Sequence, residues 1–587
     1  MKELALLPSE QNEQFAPLLH APAPPTAATV LLQAFAAHGV RAAFGIPGGA
    51  ASPIFDGLLE VPEIAFTATR HEAIAGFAAS GHARATGKPA LVLTTSGPGL
   101  TNAITGMAAA ALEELPVIFI AGEVASHAAG RGALQDGSPA GLDSLAMVRS
   151  MARWATTLTS PAQARATAER AWQIATGPRP GPVYIGVPLD VGGLASAPHG
   201  LVLGEGGPLL PDALACRRAA HRLRGARRPL LLLGNGARGA APEARALAER
   251  LSLPVVVTGH AKGVFPESHP LYVGILGVGQ HPTVTEYLTE RPDVVCVVGS
   301  RLGDVATNGW KAPLEGTAET IQIDRDPLLL GSNFPVTLGI VADARHALQE
   351  MVSSLPSDVV PPARNVPSCR SARSELAFSN SIPLKPQRVL ASLSEAFPEA
   401  IWCSDIGEHL AMALHYLRVD DPSRFHAMVG FGSMGSGIGS AIGMKLAKPD
   451  STVVAVCGDG GMAMHAGEML TCAESGIGVI FAVMNDGRWN MIHHGFRSVY
   501  GRLPPALPSR FADLATVATG FGAVGVTIRR PSDLDPERLR RLTAPSSAGG
   551  EARLSRPVVL DIRIDASESF TAESRAATIR AFAKTGT

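Results

Sequence analysis

Short apolar segments of strand length recur along this chain, and a helical pattern separates each one from the next. Parallel strands need a crossover connection, usually a helix, so this alternation indicates βαβ units and mostly parallel sheets. The first such block covers residues 27–191. Its predicted strands are Ala42–Gly45, Ile64–Thr69, Ala90–Thr95, Val117–Ala121 and Val183–Val187, and its predicted helices are Glu72–Thr86 and Asn102–Leu112.

Two further blocks repeat this organisation, at residues 212–355 and 384–565. Strands are predicted in the middle block at Leu230–Leu233, Pro254–Val257, Val294–Val298 and Thr320–Ile323, and in the third at Ile401–Cys403, Thr452–Val456, Val479–Met484 and Val558–Ile564. Irregular segments rich in Gly, Pro or Ser separate the blocks at 192–211 and 356–383. Residues 1–26 are expected to form a flexible extension and residues 566–587 a tail. The predicted fold class is therefore α/β, with three doubly wound, mostly parallel-sheet domains.

The composition excludes several classes of protein. At 587 residues the chain is too long for one hydrophobic core, and its 46% hydrophobic and 17% charged residues fit a well-buried protein. A formal net charge of −1 favours neither nucleic acid nor an anionic membrane as a partner. The apolar runs are too short to span a bilayer. The six cysteines are scattered singly, which argues against disulfides and structural zinc and predicts a cytoplasmic location.

The strongest chemical signal lies in the third block. A predicted strand runs into Gly458-Asp459-Gly460, and the next strand ends at Asn485-Asp486-Gly487. Both turns fall at the carboxyl ends of parallel strands, where open α/β sheets bind ligands. Glycines let the backbone approach a phosphate, and two aspartates supply hard oxygen ligands for Mg²⁺ or Ca²⁺. A Gly-Asp-Gly sequence is also a common turn that usually binds nothing. The number of residues between it and the second turn therefore determines whether a ligand site is indicated.

That spacing and several motifs elsewhere in the chain resemble those of one protein family. The 24 residues Gly461–Met484 separate the two turns, as in the thiamine-diphosphate signature. Further motifs follow in the family's order: Phe44–Gly49, Arg70–Glu72, Ala83–Gly87, Ser96–Gly99, Gly181–Pro188 and Gly430–Gly435. The chain from about residue 26 to 565 thus resembles the thiamine-diphosphate enzymes of the acetolactate synthase, pyruvate oxidase and benzoylformate decarboxylase type. The resemblance makes the three blocks a pyrimidine-binding, a middle and a diphosphate- and metal-binding domain.

The resemblance implies a cofactor site and one catalytic residue. Glu72 matches the glutamate that hydrogen-bonds the aminopyrimidine ring, although a glutamate in a first helical turn can also simply complement the helix dipole. The metal, Mg²⁺, is expected on Asp459, Asp486 and the carbonyl of Arg488. Met434 matches a bulky residue that props the bent cofactor, and an isolated Met is otherwise core filler. The full cofactor set is Pro47, Gly48, Glu72, Ile406, Gly407, Glu408, His409, Gly432, Met434, Gly458, Asp459, Gly460, Gly461, Asp486, Arg488, Trp489, Asn490 and Met491.

Two of these positions depart from the family pattern. Family members often carry Gln where this chain has Glu408, which adds a negative charge near the diphosphate. Asp486 stands where the family has a second Asn, and an aspartate is at least as good a ligand for Mg²⁺.

The substrate positions favour a carboligase. The residues that match the family's substrate pocket are Gly49, Leu134, Gln135, Met491, His493 and His494. The two histidines could equally be surface residues of a helix. Val305 replaces the arginine that anchors a second 2-oxo acid, and Gly495 replaces a large Trp. The expected activity is decarboxylation of a 2-oxo acid donor and transfer to a carbonyl acceptor that is different or larger. The alternatives are a simple 2-oxo acid decarboxylase and a non-catalytic paralogue.

The middle block adds a second possible ligand. Gly234-Asn-Gly236-Ala-Arg-Gly239 follows a predicted strand and has the G-x-G-x-x-G form of a nicotinamide site, but the expected acidic residue about twenty positions later is absent. By resemblance this domain holds FAD, ADP or nothing. The resemblance also implies a homodimer or homotetramer with the active site between subunits.

Overall fold

A computed structural model describes residues 24–197, 207–310, 314, 319–358, 360–507, 509–544 and 554–569. Most of the predicted N-terminal extension and C-terminal tail lies outside these residues. Thr26 is nevertheless part of the first domain, because its hydroxyl accepts a hydrogen bond from the Thr29 N–H (3.2 Å) and caps the first helix. The extension that was expected to reach residue 26 is therefore shorter.

The first domain has a six-stranded parallel sheet in the order β2-β1-β3-β4-β6-β5 within the described residues. The strands are β1 Ala42–Gly45, β2 Ala65–Ala68, β3 Ala90–Thr94, β4 Val117–Glu123, β5 Trp154–Thr157 and β6 Val183–Pro188. The helices are α1 Ala27–Ala37, α2 Ser52–Leu59, α3 Glu72–Thr86, α4 Pro98–Leu112, α5 Ser144–Val148, α6 Ala164–Thr176 and α7 Leu189–Gly193. Helix α4 begins four residues before the predicted start, because Pro98 occupies its first turn, where a missing N–H costs nothing.

The middle domain also contains a six-stranded sheet, with the strand order β12-β11-β10-β7-β8-β9. Its strands are β7 Pro229–Leu233, β8 Val255–Thr258, β9 Tyr272–Leu276, β10 Val294–Val298, β11 Glu319–Asp324 and β12 Leu338–Val341. Its helices are α8 Ala213–Gly225, α9 Ala241–Leu251, α10 Pro282–Thr289, α11 Asp304–Thr307 and α12 Ala344–Ser353. Gly234 and Gly236 lie against the backbone of Gly299, where any Cβ would collide, so these glycines serve close packing between two turns.

The third domain has the order β14-β13-β15-β16-β18-β17, again parallel throughout the described strands. Its strands are β13 Ile401–Ser404, β14 Phe425–Ala427, β15 Val453–Gly458, β16 Val479–Asn485, β17 Val524–Ile528 and β18 Val558–Arg563. Its helices are α13 Pro386–Ala396, α14 Glu408–Tyr416, α15 Ser436–Ala447, α16 Asp459–Met464, α17 Glu468–Glu474, α18 Asn490–Tyr500, α19 Leu514–Gly520 and α20 Pro536–Leu542. Three parallel sheets flanked by helices confirm the predicted fold class.

The first and third domains pack through α3 and α15. A Cβ at Gly81 would collide with the backbone of Ser440, and one at Gly443 with the backbone of Ala78. The two helices therefore approach as closely as their glycines allow. Within the described residues, none of the helices is both long enough and apolar enough to cross a bilayer.

Candidate active site

A cavity of about 300 Å³ opens at the carboxyl ends of the third sheet. We call it the third-domain cavity, and it is lined by every third-domain residue of the predicted cofactor set. These are Ile406, Gly407, Glu408, His409, Gly432, Met434, Gly458, Asp459, Gly460, Gly461, Asp486, Arg488, Trp489, Asn490 and Met491. Predicted residues from four separate segments thus meet around one space, because β13, β15 and β16 are neighbours in the sheet.

Two acidic side chains face this cavity from adjacent strand ends. Asp459 follows β15 as the first residue of α16, and Asp486 directly follows β16. Burial raises the pKa of Asp459 to about 6. Burial and the neighbouring Asp459 raise the pKa of Asp486 to about 7. Two partly buried carboxylates that oppose each other's ionisation form a site that a divalent cation would stabilise.

The two aspartates provide only part of a metal coordination shell. Among the described residues, no group of three or more His, Cys, Asp or Glu side chains could hold a metal ion by itself. Mg²⁺ commonly uses one or two carboxylates and completes its octahedron with water and phosphate oxygens. The arrangement therefore fits a cation that is bound together with a phosphorylated ligand.

His409 offers a free ring nitrogen to such a ligand. Its Nε2 atom is buried and has no hydrogen-bond partner in the described part of the chain. Burial lowers the pKa of His409 to about 4, so the ring is neutral at physiological pH. The ring also lies against Gly407 and Gly458, where a Cβ would contact it. A buried ring nitrogen without a partner indicates a missing hydrogen-bond partner, which a bound ligand would supply.

The loop that carries Met434 is held by a residue that the sequence analysis missed. Asp405 follows β13, is fully buried, and accepts hydrogen bonds from the backbone N–H groups of Gly435 (2.9 Å) and Gly437 (3.1 Å). Burial raises the pKa of Asp405 to about 6. A carboxylate directly after a buried strand was the available signal for this role. Asp405 fixes the turn that places Met434 in the cavity.

Asn485, the first residue of the Asn-Asp pair, also serves the loop rather than the cavity. Its amide donates to Asp561 (2.7 Å), and its carbonyl oxygen accepts from the Gly487 N–H (3.2 Å). These bonds fix the turn between Asn485 and Gly487 and leave Asp486 directed at the cavity.

Residues beyond the third sheet close one side of the cavity. Arg488 donates to Asn490 (2.9 Å), and both side chains donate to the carbonyl of Ala566. Glu568 lines the cavity and accepts from Lys385 (2.7 Å). Residues 566–569 therefore belong to the site, contrary to the expectation that the tail begins at residue 566.

The two predicted substrate histidines lie on α18. His493 is buried, and one of its ring nitrogens lies 3.4 Å from Arg488. Burial and Arg488 lower the pKa of His493. His494 contacts Glu408, which lies on α14. Neither histidine lines the third-domain cavity, although both are held next to residues that do.

Glu72 lies in a second cluster, at the carboxyl ends of the first sheet. It is buried as the first residue of α3, and the amide of Asn102 donates to its carboxylate (3.0 Å). The preceding residues, Arg70 and His71, donate their backbone N–H groups to Glu468 of α17 (2.9 and 3.1 Å). Neither Asn102 nor Glu468 was predicted, because both contacts join segments far apart in the sequence.

The other first-domain candidates surround the same strand ends. Gly48 lies against Thr95, which follows β3, so a Cβ there would collide. Gln135 has a positive φ of 62° and accepts a hydrogen bond from the Ser96 hydroxyl (3.3 Å). Leu134 is 87% exposed. We call this set the first-domain cluster, and it comprises Pro47, Gly48, Gly49, Glu72, Leu134 and Gln135.

The first-domain cluster and the third-domain cavity remain separate within one chain. None of the six cluster residues lines the cavity. Large apolar side chains are exposed beside both, including Leu134 and, on α18, Ile492, Phe496 and Tyr500. One chain thus presents two incomplete halves of the predicted site.

A further cavity of about 320 Å³ lies at the carboxyl ends of the middle sheet. It is lined by polar groups that include Asn235, Ser300, Arg301 and Asp324, together with Val305. Burial raises the pKa of Asp324. Val305 is therefore a middle-domain residue that does not reach the third-domain cavity of its own chain.

The fold is that of a multidomain α/β protein, and its third-domain cavity fits a phosphorylated ligand together with a divalent cation. Comparison with protein families gives that class a name. The thiamine pyrophosphate enzyme N-terminal TPP-binding domain matches residues 25–146, the central domain residues 216–351 and the C-terminal TPP-binding domain residues 405–548.

Individual relatives extend this match over nearly the whole chain. A probable acetolactate synthase large subunit of Methanocaldococcus jannaschii is 31% identical over 567 residues, which cover 92% of each chain. The acetolactate synthase of Arthrospira platensis is 32% identical over 575 residues, or 92% of this chain and 95% of the relative. The acetolactate synthase isozyme 3 large subunit of Escherichia coli is 31% identical over 560 residues, with the same coverage. The chain belongs to the thiamine pyrophosphate-dependent enzymes of the acetolactate synthase type.

Proposed function

We propose that this chain is a carboligase that uses thiamine diphosphate and Mg²⁺, decarboxylates a 2-oxo acid donor and transfers the remaining acyl unit to a second carbonyl. The observation that carries the proposal is the third-domain cavity, where two partly buried carboxylates, the unpartnered Nε2 atom of His409 and Met434 face one space. When bound, the cofactor supplies a carbon nucleophile and an electron sink for decarboxylation. The protein residues bind the cofactor and the substrate, orient them and move protons.

The residues proposed to hold the metal and the diphosphate are those whose oxygen and nitrogen atoms face the third-domain cavity. Asp459, Asp486 and the carbonyl of Arg488 would hold Mg²⁺. In its Nε2–H tautomer, His409 would donate to the diphosphate, and the glycines of Gly458–Gly461 leave room for its oxygens beside the backbone. Met434 would support the cofactor from the loop fixed by Asp405. Trp489, Asn490 and Met491, at the start of α18, complete the wall.

Glu72 is the proposed proton carrier. A buried carboxylate can hold and release a proton at a ring nitrogen of the aminopyrimidine. The Asn102 amide hydrogen bond would keep the Glu72 carboxylate in one orientation during that exchange. The loop before α3 is tied down through Glu468, which limits the motion of Glu72.

A complete site requires a second subunit in this proposal. The first-domain cluster of one chain would cover the third-domain cavity of another, in a homodimer or homotetramer. The exposed apolar side chains beside both halves support such an interface. Light scattering combined with activity measurements tests it, and a fully active monomer would contradict it.

The substrate is proposed to be larger or less acidic than that of acetolactate synthase. Gly495 is buried on α18, yet a Cβ built there would contact no atom within 4 Å. That open space stands where the family carries a Trp, and Val305 stands where it carries an anchoring Arg. Gly49, Leu134, Gln135, Met491, His493 and His494 are the proposed substrate contacts.

A product assay tests the reaction. Purified protein with thiamine diphosphate and Mg²⁺ is given pyruvate and longer 2-oxo acids, each alone and with an aldehyde or a second 2-oxo acid. Mass spectrometry that finds a 2-hydroxyketone or 2-hydroxyacid product supports the proposal. Aldehyde as the sole product identifies a decarboxylase, and no turnover identifies a non-catalytic paralogue. The absorption spectrum of the purified protein tests whether the middle-domain cavity holds FAD.

A further inference from the structure

Glu408 places a negative charge where a diphosphate is expected. It is the first residue of α14 and lines the third-domain cavity beside Gly407 and His409. A carboxylate and a diphosphate at such short range repel each other strongly in a buried site. The proposed function therefore requires something in this chain to offset the charge of Glu408.

The structure contains two partners for that carboxylate. His494 Nδ1 lies 3.0 and 3.1 Å from the two Glu408 oxygens, and the Ser569 hydroxyl donates to one of them (2.8 Å). The side chains of His494 and Glu408 are 12% and 9% exposed, so water screens this pair little. The three residues come from α14, from α18 and from the segment after β18.

We propose that His494 is a positioning residue that makes Glu408 compatible with a diphosphate. The His494 Nδ1–H and the Ser569 hydroxyl donate to the carboxylate and hold it between α14 and α18, and these hydrogen bonds stabilise its negative charge. If His494 is removed, Glu408 is left as an unpaired buried charge that faces the ligand. If Glu408 is made neutral, the need for His494 disappears. Cofactor affinity should therefore depend on the two residues together.

A double-mutant cycle in cofactor affinity tests this inference. The dissociation constant of thiamine diphosphate is measured by calorimetry at saturating Mg²⁺, for wild type, His494→Leu, Glu408→Gln and the double variant. We expect His494→Leu to weaken binding on the order of tenfold, as one unpaired like charge would. Glu408→Gln should bind as tightly as wild type or more tightly. The double variant should recover to within about threefold of wild type.

A matched pair elsewhere provides the control. His269 contacts Glu249 (3.1 Å) in the middle domain, away from the cavity, so His269→Leu and Glu249→Gln should leave the affinity unchanged. Unphosphorylated thiamine provides a second control, because it lacks the charge that Glu408 would repel. If His494→Leu does not fold, His494→Phe takes its place, because it keeps a planar ring but offers no donor to Glu408.

The outcomes separate this inference from the proposed function on which it rests. If wild type does not bind thiamine diphosphate, the proposed function fails. If wild type binds it but His494→Leu binds equally well, or the double variant is no better than His494→Leu, only the role of His494 is overturned.

Discussion

The carboxylate of Glu468 accepts a hydrogen bond from the backbone N–H of Arg70 across the contact between the third and first domains (2.9 Å). The same oxygen accepts from His71, while the other accepts from the Thr471 hydroxyl (2.9 Å). Because Arg70 and His71 directly precede Glu72, the start of α17 determines where the proposed catalytic carboxylate lies. Burial raises the pKa of Glu468 to about 7, and an uncharged acceptor would therefore serve as well.

Glu468→Ala should lower kcat by about tenfold or more while thiamine diphosphate still binds, because two backbone N–H groups lose their acceptor and the loop before Glu72 is released. Glu468→Gln keeps an acceptor oxygen and should retain most of the activity. The control is Glu474→Ala, since Glu474 contacts the exposed side chain of the same Arg70. Steady-state kinetics together with cofactor affinity check this prediction. Equal activity of the Ala variant and wild type would contradict it.

Asp459→Ala should weaken Mg²⁺-dependent retention of thiamine diphosphate by about a hundredfold or more, because loss of a direct ligand costs at least as much as loss of its supporting contacts. Asp486→Asn should be tolerated, since an amide oxygen can replace a carboxylate oxygen and the repulsion from Asp459 is relieved. Asp450→Ala, at an exposed position of the same domain, is the control. Calorimetric titration would refute the assignment if Asp459→Ala bound like wild type.

The acidic pair makes its own contribution to stability depend on pH and on bound Mg²⁺. The folded pKa values of Asp459 and Asp486, about 6 and about 7, lie above those of unfolded aspartate. The stability that this shift contributes is complete at acidic pH and is lost as the pH rises through 6 to 7. In the metal-free protein, Asp459→Asn should therefore raise the melting temperature more at pH 8 than at pH 5, because it removes the repulsion within the pair. Mg²⁺ with thiamine diphosphate should raise the melting temperature more at pH 8, and an equal rise at both values would count against the pair as a cation site.

Gly495→Trp should lower kcat/KM for bulky substrates while small ones such as pyruvate are affected less, because the indole would fill the open space beside Gly495. Gly520→Trp, at an exposed position on α19, is the matched control. The measurement is kcat/KM for a series of 2-oxo acids of increasing size. An equal loss for all sizes would remove Gly495 from the substrate pocket.

The sequence predicted the central strands well and missed edge strands. The strands that were not predicted are Trp154–Thr157, Tyr272–Leu276, Leu338–Val341, Phe425–Ala427 and Val524–Ile528. Each lies at the edge of its sheet. Central strands of parallel sheets are covered on both faces and read as continuous apolar runs. Leu338–Val341 instead alternates between buried and exposed positions, and Trp154–Thr157 is only partly buried, so neither carries that signal.

Those residues of the candidate site that lie in local sequence motifs could be predicted from the sequence. Asp459 and Asp486 could be placed together because each follows a strand of a parallel sheet. Asn102 and Glu468 could not be assigned roles, because their partners are distant in sequence and only the packed fold brings them together. The position of Asp405 directly after a strand was a signal, but its contacts with Gly435 and Gly437 appear only in the packed fold. The pairing of Glu408 with His494 has the same origin, since it joins two helices 86 positions apart.

The central claim, that Glu72 activates thiamine diphosphate bound by this chain, can be tested without knowing the substrate. The measurement is the rate of hydrogen–deuterium exchange at the thiazolium carbon of the bound cofactor, followed by nuclear magnetic resonance in wild type and Glu72→Gln. We expect wild type to accelerate the exchange over free cofactor, and Glu72→Gln to bind the cofactor but exchange at least about a hundredfold more slowly than wild type. No acceleration in wild type, or equal rates in the two proteins, would contradict the account.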